Sequence, residues 1–369
     1  MPCPHILCVF GTRPDAIKMA PVVLELKRRE TFDVQVAVTG QHREMLDQVL
    51  GVFGIAPDFD LNIMTHGQTL AQVTARVLDG LDPILAAHRP DWVLAQGDTT
   101  TTFAAALSAF YHRAKFGHVE AGLRTGNPSD PFPEEMNRLL TTRLATLHFA
   151  PTPEAVVNLE RDNVTPASIL LTGNTVIDAL LLTAAQTDIP APPAVQEILA
   201  DPRRVLLVTA HRRENWGPPM ARIGEAVLSI VNAHPDTLAV VALHRNPLVR
   251  ETLVPLLGGH DRVRLIEPPD YAPFVKLEQK ATLILTDSGG VQEEAPSLGK
   301  PVLVLRETTE RPEGVSAGTA RLVGTDTAHI VAEAARLLSD PDAYAQMARA
   351  VSPYGDGMAS ARIADALLL

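Results

Sequence analysis

The chain has 369 residues, 46 % of them hydrophobic, and a formal net charge of −11. That length exceeds what one core usually fills, so two domains are expected, and the negative balance argues against non-specific nucleic-acid binding. Only 4 % of residues are aromatic, too few for base-stacking platforms, and an anionic ligand would need a local cluster of Arg and His.

The N-terminus reads Met1-Pro2-Cys3-Pro4-His5, without the basic region of a secretory leader. No uncharged apolar stretch approaches the roughly 20 residues of a spanning helix, so no membrane partner and a cytoplasmic location are expected. Cys3 and Cys8 are separated by about 16 Å of extended chain, too far for a disulfide. No spaced His/Cys cluster predicts a metal.

The apolar run 6–10 predicts a strand leading to a helix over 16–29, and 34–38 leads to a helix over 42–53. Run 92–95 leads to a helix over 100–112, and 116–119 reaches Glu120. A helix over 134–145 and short strands at 147–149 and 169–171 follow. Three prolines within 187–193 predict irregular chain near a domain junction. Strands and helices then resume at 205–208, 220–233, 238–243, 263–266, 283–285 and 301–305. Helices over 329–338 and 342–351 precede Pro353-Tyr354-Gly355-Asp356-Gly357 and a last helix reaching Leu369. Such alternation predicts α/β architecture with two Rossmann-like domains and a central cleft. The expected division is 1–172 plus 356–369, with the last helix packing back on the first domain, and 173–355.

Six polar or glycine-bearing segments fall at the expected strand ends: Gly11-Thr12-Arg13-Pro14, Gly97-Asp98-Thr99-Thr100, Glu120-Ala121-Gly122-Leu123-Arg124, His211-Arg212-Arg213-Glu214, His244-Arg245-Asn246-Pro247 and Ser288-Gly289-Gly290. Ligands of open parallel sheets bind beyond the carboxyl ends of the strands. Ser288-Gly289-Gly290 opens a helix, where free backbone N–H groups and close approach suit an anion. The alternative is a strand–helix turn capped by Ser288. One of Glu293 and Glu294, about 100° apart around that helix, suits a ribose diol, or both complement the helix dipole. Arg13 and Lys18 can hold a phosphate near the first helix start, or solvate its face. Neither a GxGxxG nor a GxxxxGK[ST] motif occurs, which counts against NAD and P-loop chemistry, so no cofactor is expected.

Asp98 suits acid–base work but also an N-cap. Glu120 is poorly explained by capping. Glu134 and Arg138 are spaced as an i,i+4 pair, with Glu135 beside them. Two or three carboxylates of unlike pKa suit proton removal on one face and delivery on another. His211 and His244 end adjacent strands. Each alone reads as a structural histidine, but His211-Arg212-Arg213 groups three potential cations, which suits a diphosphate.

Together these segments resemble the non-hydrolysing UDP-N-acetylglucosamine 2-epimerases, a family with the two-domain (GT-B) fold of nucleotide-sugar glycosyltransferases. The match runs through FGTRPDAIKMAP, QHREMLDQVL, GDTTTT, GHVEAGLRTG, FPEEMNR, GNTVIDALL, HRREN, LTDSGGVQEEAPSLGKPVLVLRETTERPE, AGTARLVGTD and PYGDG, essentially the whole chain. The resemblance implies interconversion of UDP-GlcNAc and UDP-ManNAc by elimination of UDP to 2-acetamidoglucal and re-addition. It implies Asp98, Glu120, Glu134 and His211 as the catalytic set, without assigning which carboxylate is the base in each direction. Arg13, His211, Ser288, Gly289 and Gly290 would contact the diphosphate and Glu294 the ribose. Phe274 would offer a backbone contact to the uracil, with Lys18, Arg138, His244 and Arg311 completing the substrate site. Family members are commonly homodimers.

In members that also bind UDP-GlcNAc as an activator, a second site draws on the QHR motif and a later arginine. Gln41, His42, Arg43 and Arg212 are the corresponding set here, although Glu44 stands where some members have Gln and Gly67 where some have Arg. A hydrolysing 2-epimerase, a glycosyltransferase of the same architecture and a non-catalytic UDP-sugar sensor are the competing readings.

Overall fold

The computed structural model describes residues 3–40, 43–65 and 67–368. The chain forms two compact units, 1–182 with 354–369, and 183–353.

The first unit runs β1 His5–Phe10, α1 Arg13–Arg28, β2 Asp33–Val38, α2 Arg43–Phe53, β3 Phe59–Asp60, α3 Leu70–His88 and β4 Trp92–Gln96. It continues α4 Thr100–Tyr111, β5 Lys115–Val119, α5 Glu134–Leu144, β6 Leu147–Ala150, α6 Pro153–Arg161, β7 Ile169–Leu171 and α7 Thr175–Ala185. Its seven strands lie in the order β3-β2-β1-β4-β5-β6-β7, and every pairing is parallel. β1 and β4 are buried along almost their whole length, as expected where helices cover both faces. The order reverses between β1 and β4, the switch point where ligands of such sheets bind.

The second unit runs α8 Pro193–Ala200, β8 Arg204–Thr209, α9 Pro218–Ala233, β9 Thr237–Ala242, α10 Pro247–Leu257, β10 Val263–Ile266 and α11 Tyr271–Lys280. Then come β11 Ala281–Thr286, α12 Gly289–Ser297, β12 Val302–Val304, α13 Pro312–Ser316, β13 Ala320–Leu322, α14 Thr327–Ser339 and α15 Pro341–Ala348. Its parallel sheet has the order β10-β9-β8-β11-β12-β13, with the switch point between β8 and β11. One face is sealed by Met220, Ile223, Val227, Leu253 and Ile330, the other by Val195, Ile198, Leu277, Val291 and Ala295.

The closing helix α16, Ala359–Ala366, returns to the first unit. Asp178 on α7 accepts the amides of Ser360 (2.8 Å) and Ala359 (3.2 Å), while Arg29 reaches Asp365 (2.5 Å) and the Ala361 carbonyl (2.9 Å). These contacts tie α7 to the first unit, so the division falls at 182/183 rather than 172/173.

Several elements differ from the sequence-based expectation. The first helix starts at Arg13, not residue 16, because Thr12 caps it and Asp15 closes a capping box. The irregular stretch ends at Pro192, and Pro193 opens α8 as its first residue. α3 lies in a region where no element was expected. Its signal was there: a Thr69/Gln72 capping box and buried Val73, Val77, Leu81 and Leu85 at helical spacing.

Candidate active site

In the first unit, Asp98 follows β4 but does not cap α4. Thr99 does, accepting the Thr102 amide. The Asp98 carboxylate instead accepts Arg138 Nη2 at 2.5 Å, and its carbonyl accepts Asn137 Nδ2 at 2.8 Å. Arg138 Nη1 donates at 2.9 Å to Glu135, not to Glu134 as the i,i+4 spacing suggested. Glu135 is buried and also accepts the amides of Thr125 and Gly126, so it anchors the loop before α5. Glu134 is half-buried at the start of α5.

Glu120 follows β5 in a left-handed conformation, φ +63°, which costs a non-glycine residue on the order of 1 kcal/mol. Its carboxylate accepts Lys18 Nζ, Gln96 Nε2 (2.9 Å) and Asn174 Nδ2 (3.0 Å), and its side chain is only 8 % exposed. Lys18 comes from α1, so residues of α1, β4, β5 and the start of α7 converge on this carboxylate. Arg13, on the first turn of α1, is half-buried.

Asp15 links two of these strand ends. It accepts the amides of Thr12 (3.2 Å) and Gly11 (3.4 Å) and the Thr99 hydroxyl (3.4 Å). Burial pushes its carboxyl up to about 6 despite those hydrogen bonds, and the charge of Asp98 adds to the rise.

In the second unit the organiser is Asp287, fully buried between β11 and Ser288. It accepts the amides of His211 (2.9 Å) and Arg212 (2.9 Å) and Asn215 Nδ2 (2.9 Å), and His211 Nδ1 lies 3.1 Å away. Burial alone would raise its pKa. The His211 ring and the two amides outweigh that and hold the carboxyl below its usual range. Asp287 thereby joins the ends of β8 and β11 across the switch point. Sequence reasoning singled out its neighbours and missed it.

His211 stacks on His244, ring centroids 5.5 Å apart. Burial, then the neighbouring His211, lowers the pKa of His244, which favours a neutral ring. Ser288 occupies the N-cap of α12 without a side-chain capping bond, which removes the capping alternative. A Cβ at Gly289 would lie 3.9 Å from Arg212 Nη2 and 4.0 Å from the Arg311 guanidinium. Two cations thus flank the first turn of α12, whose leading amides have no intrahelical acceptors. Arg311 is held by Glu293, and Arg212 reaches Glu310 at 3.5 Å. Glu293 is committed to Arg311, and Glu294, buried, follows it on α12. Phe274 lies on α11, its amide donating to the Asp270 carbonyl (3.0 Å).

Gln41 and His42 lie outside the described residues, as do the side chains of Arg43 and Glu44. Among the described residues no group of three or more His, Cys, Asp and Glu could hold a metal, and no helix is long and apolar enough to cross a membrane.

The family profile described as UDP-N-acetylglucosamine 2-epimerase matches residues 24–368. The chain belongs to the UDP-N-acetylglucosamine 2-epimerase family. It is 55 % identical over 363 residues to the UDP-N-acetylglucosamine 2-epimerase of Bacillus subtilis strain 168, covering 98 % of this chain and 94 % of that one. The Neisseria meningitidis UDP-GlcNAc 2-epimerase crystal structure, bound to UDP-GlcNAc, superposes with a TM-score of 0.85 at 48 % identity, covering 99 % of each chain. A kitacinnamycin glycosyltransferase structure matches with a TM-score of 0.66 at 16 % identity, covering 100 % of this chain and 99 % of that one. That similarity shows the fold alone: this 2-epimerase family shares the glycosyltransferase-like (GT-B) two-sheet α/β architecture.

Proposed function

We propose that the protein interconverts UDP-N-acetylglucosamine and UDP-N-acetylmannosamine without hydrolysing them, through elimination and re-addition of UDP. The C2 hydrogen is not next to a carbonyl, so simple deprotonation is too hard. In elimination a carboxylate takes the C2 proton, the C1–C2 double bond forms, and the C1–O bond breaks with its electron pair leaving on UDP. Re-addition returns a proton to the opposite face of C2 as the diphosphate oxygen attacks C1. The observation that carries this reading is Glu120: a strand-end carboxylate in a left-handed backbone, held by Lys18, Gln96 and Asn174, and with no capping role.

Asp98 and Glu134 complete the acid–base group. His211, the first turn of α12, Arg212 and Arg311 offset charge on the departing diphosphate, with Arg13 as a further contact. Glu294 accepts the ribose hydroxyls, and the Phe274 backbone contacts the uracil.

Incubation with UDP-GlcNAc in D2O, followed by NMR, tests the reaction. UDP-ManNAc with deuterium at C2 is expected. Turnover without C2 exchange would sink elimination, and free ManNAc would identify a hydrolysing enzyme. The reading extends to a homodimer, supported by exposed Phe110, Tyr111, Met136 and Leu140 on α4 and α5; light scattering should give twice the chain mass. It also extends to activation by UDP-GlcNAc through Gln41, His42, Arg43 and Arg212. A hyperbolic reaction from UDP-ManNAc with no added UDP-GlcNAc would count against that.

A further inference from the structure

Three consecutive peptide carbonyls at the end of β4 are each taken by a side chain from a different element. The Gln96 carbonyl accepts Thr102 Oγ1 of α4 at 2.6 Å and the Gly97 carbonyl accepts His118 Nε2 of β5 at 2.8 Å. The Asp98 carbonyl accepts Asn137 Nδ2 of α5 at 2.8 Å. Thr102 and His118 fix the strand end within β4, α4 and β5. Asn137 does something else: it ties Asp98 to α5, the helix that opens with Glu134. It is buried and stands three residues after Glu134, on the same side of the helix. A carbonyl only accepts, so it is the Asn137 NH2 that faces Asp98.

Helix α5 therefore grips Asp98 at two points: Arg138 Nη2 holds the carboxylate at 2.5 Å and Asn137 holds the peptide. The two bonds respond differently to proton transfer. The ion pair needs an ionised Asp98 and weakens whenever that carboxylate carries a proton. The Asn137 bond joins two neutral groups and keeps its strength in both protonation states. Arg138 reaches the far end of the Asp98 side chain through a long side chain of its own. The short Asn137 side chain fixes the residue at its backbone.

We infer that Asn137 is a positioning residue for Asp98, holding its backbone in register with Glu134 whether or not the Asp98 carboxylate carries a proton. The inference rests on the reading of Asp98 and Glu134 as acid–base groups. Removing a proton from C2 and returning one to the opposite face both need the carboxylates at set distances from one carbon. A displacement of about 1 Å costs on the order of 100-fold in rate. Without the Asn137 donor, the turn carrying Asp98 is held to α5 by the ion pair alone, which is weakest once Asp98 is protonated.

The test uses the full-length protein and its Asn137→Ala and Asn137→Leu variants. Alanine removes the donor without adding bulk to a buried position, and leucine keeps the side-chain volume, so either variant alone decides. Calorimetric titration with UDP counts the folded sites, and kcat and C2 deuterium exchange from UDP-GlcNAc in D2O are expressed per UDP-binding site. Both rates should fall by about tenfold or more while UDP affinity changes less than ~3-fold. A merely structural role lowers the melting temperature and the number of sites but leaves the rate per site unchanged. Rates per site within about twofold of the parent would therefore overturn the inference, whatever the melting temperature. Loss of UDP affinity in step with kcat would also overturn it, since Asn137 would then shape binding rather than place Asp98. Asp98→Asn, measured in parallel, separates the two levels. If it exchanges C2 deuterium as the parent does, the acid–base reading of Asp98 fails and the inference with it. If it abolishes exchange while both Asn137 variants match the parent, the inference alone fails.

Discussion

Arg138 holds Asp98 from a helix forty residues away in sequence: Nη2 donates to the Asp98 carboxylate at 2.5 Å while Nη1 donates to buried Glu135 at 2.9 Å. One guanidinium therefore orients a proposed acid–base group and couples it to a carboxylate that anchors a loop. Arg138→Ala should lower kcat about 100-fold while UDP affinity changes less than ~3-fold. Asp98→Asn should abolish C2 deuterium exchange and leave UDP binding largely intact. Steady-state kinetics with calorimetric UDP titration check both, and loss of UDP binding in either would remove Asp98 from the proton chemistry.

Gly11 and Gly289 should respond oppositely to a methyl group. A Cβ at Gly11 would lie 1.9 Å from Thr39 Oγ1 and 2.9 Å from Thr101 Oγ1, so Gly11→Ala should destabilise by about 1–3 kcal/mol. At Gly289 the nearest atoms are at ordinary contact distance, so the fold should tolerate Ala. The methyl would occupy the space between Arg212 and Arg311 and should weaken UDP binding by about tenfold or more. Melting curves and UDP titrations distinguish the two effects.

His118 should make the first unit sensitive to mild acid. Burial drives its pKa down to about 3, although Nε2 is bonded to the Gly97 carbonyl at 2.8 Å. A histidine depressed in the fold contributes stability above its unfolded value, near 6.5, that is lost as pH falls toward the folded value. At about 1.4 kcal/mol per pH unit, the contribution is at most on the order of 5 kcal/mol. Denaturant melts of the parent and of His118→Gln should converge between about pH 6.5 and about pH 4. A constant difference across that window would mean His118 is not buried neutral.

Asp287→Asn should damage the second unit in a defined way. The carboxylate accepts three N–H donors and faces the His211 ring; an amide has one oxygen to offer, and its NH2 would meet donors. A loss of about 3–5 kcal/mol is expected, with weaker UDP binding as the Arg212 turn loosens. Unchanged melting would mean the loop is held by other contacts.

What the sequence made legible was whatever depends on neighbours along the chain. Apolar runs gave the strands, and the segments after them marked Asp98, Glu120, His211 and Ser288-Gly289-Gly290 as strand-end groups. The capping box at Thr69 and Gln72 was equally local, and attention to it would have found α3. Asp287 carried no such mark, since it resembles an ordinary acidic residue in a turn until its surroundings are known.

The positions of the six strand ends and the residue types at them followed from the sequence alone, because hydrophobic periodicity and turn chemistry act over a few residues. Which carboxylate meets which cation was decided only by tertiary structure. Arg138 could pair with Glu134 by spacing, and its choice of Asp98 and Glu135 depends on how α5 packs against α4. Glu293 on α12 pairs with Arg311 at the start of α13, a contact that spacing along the chain does not mark. Burial then sets the charge of each group, and burial is a property of the packed fold rather than of any local stretch.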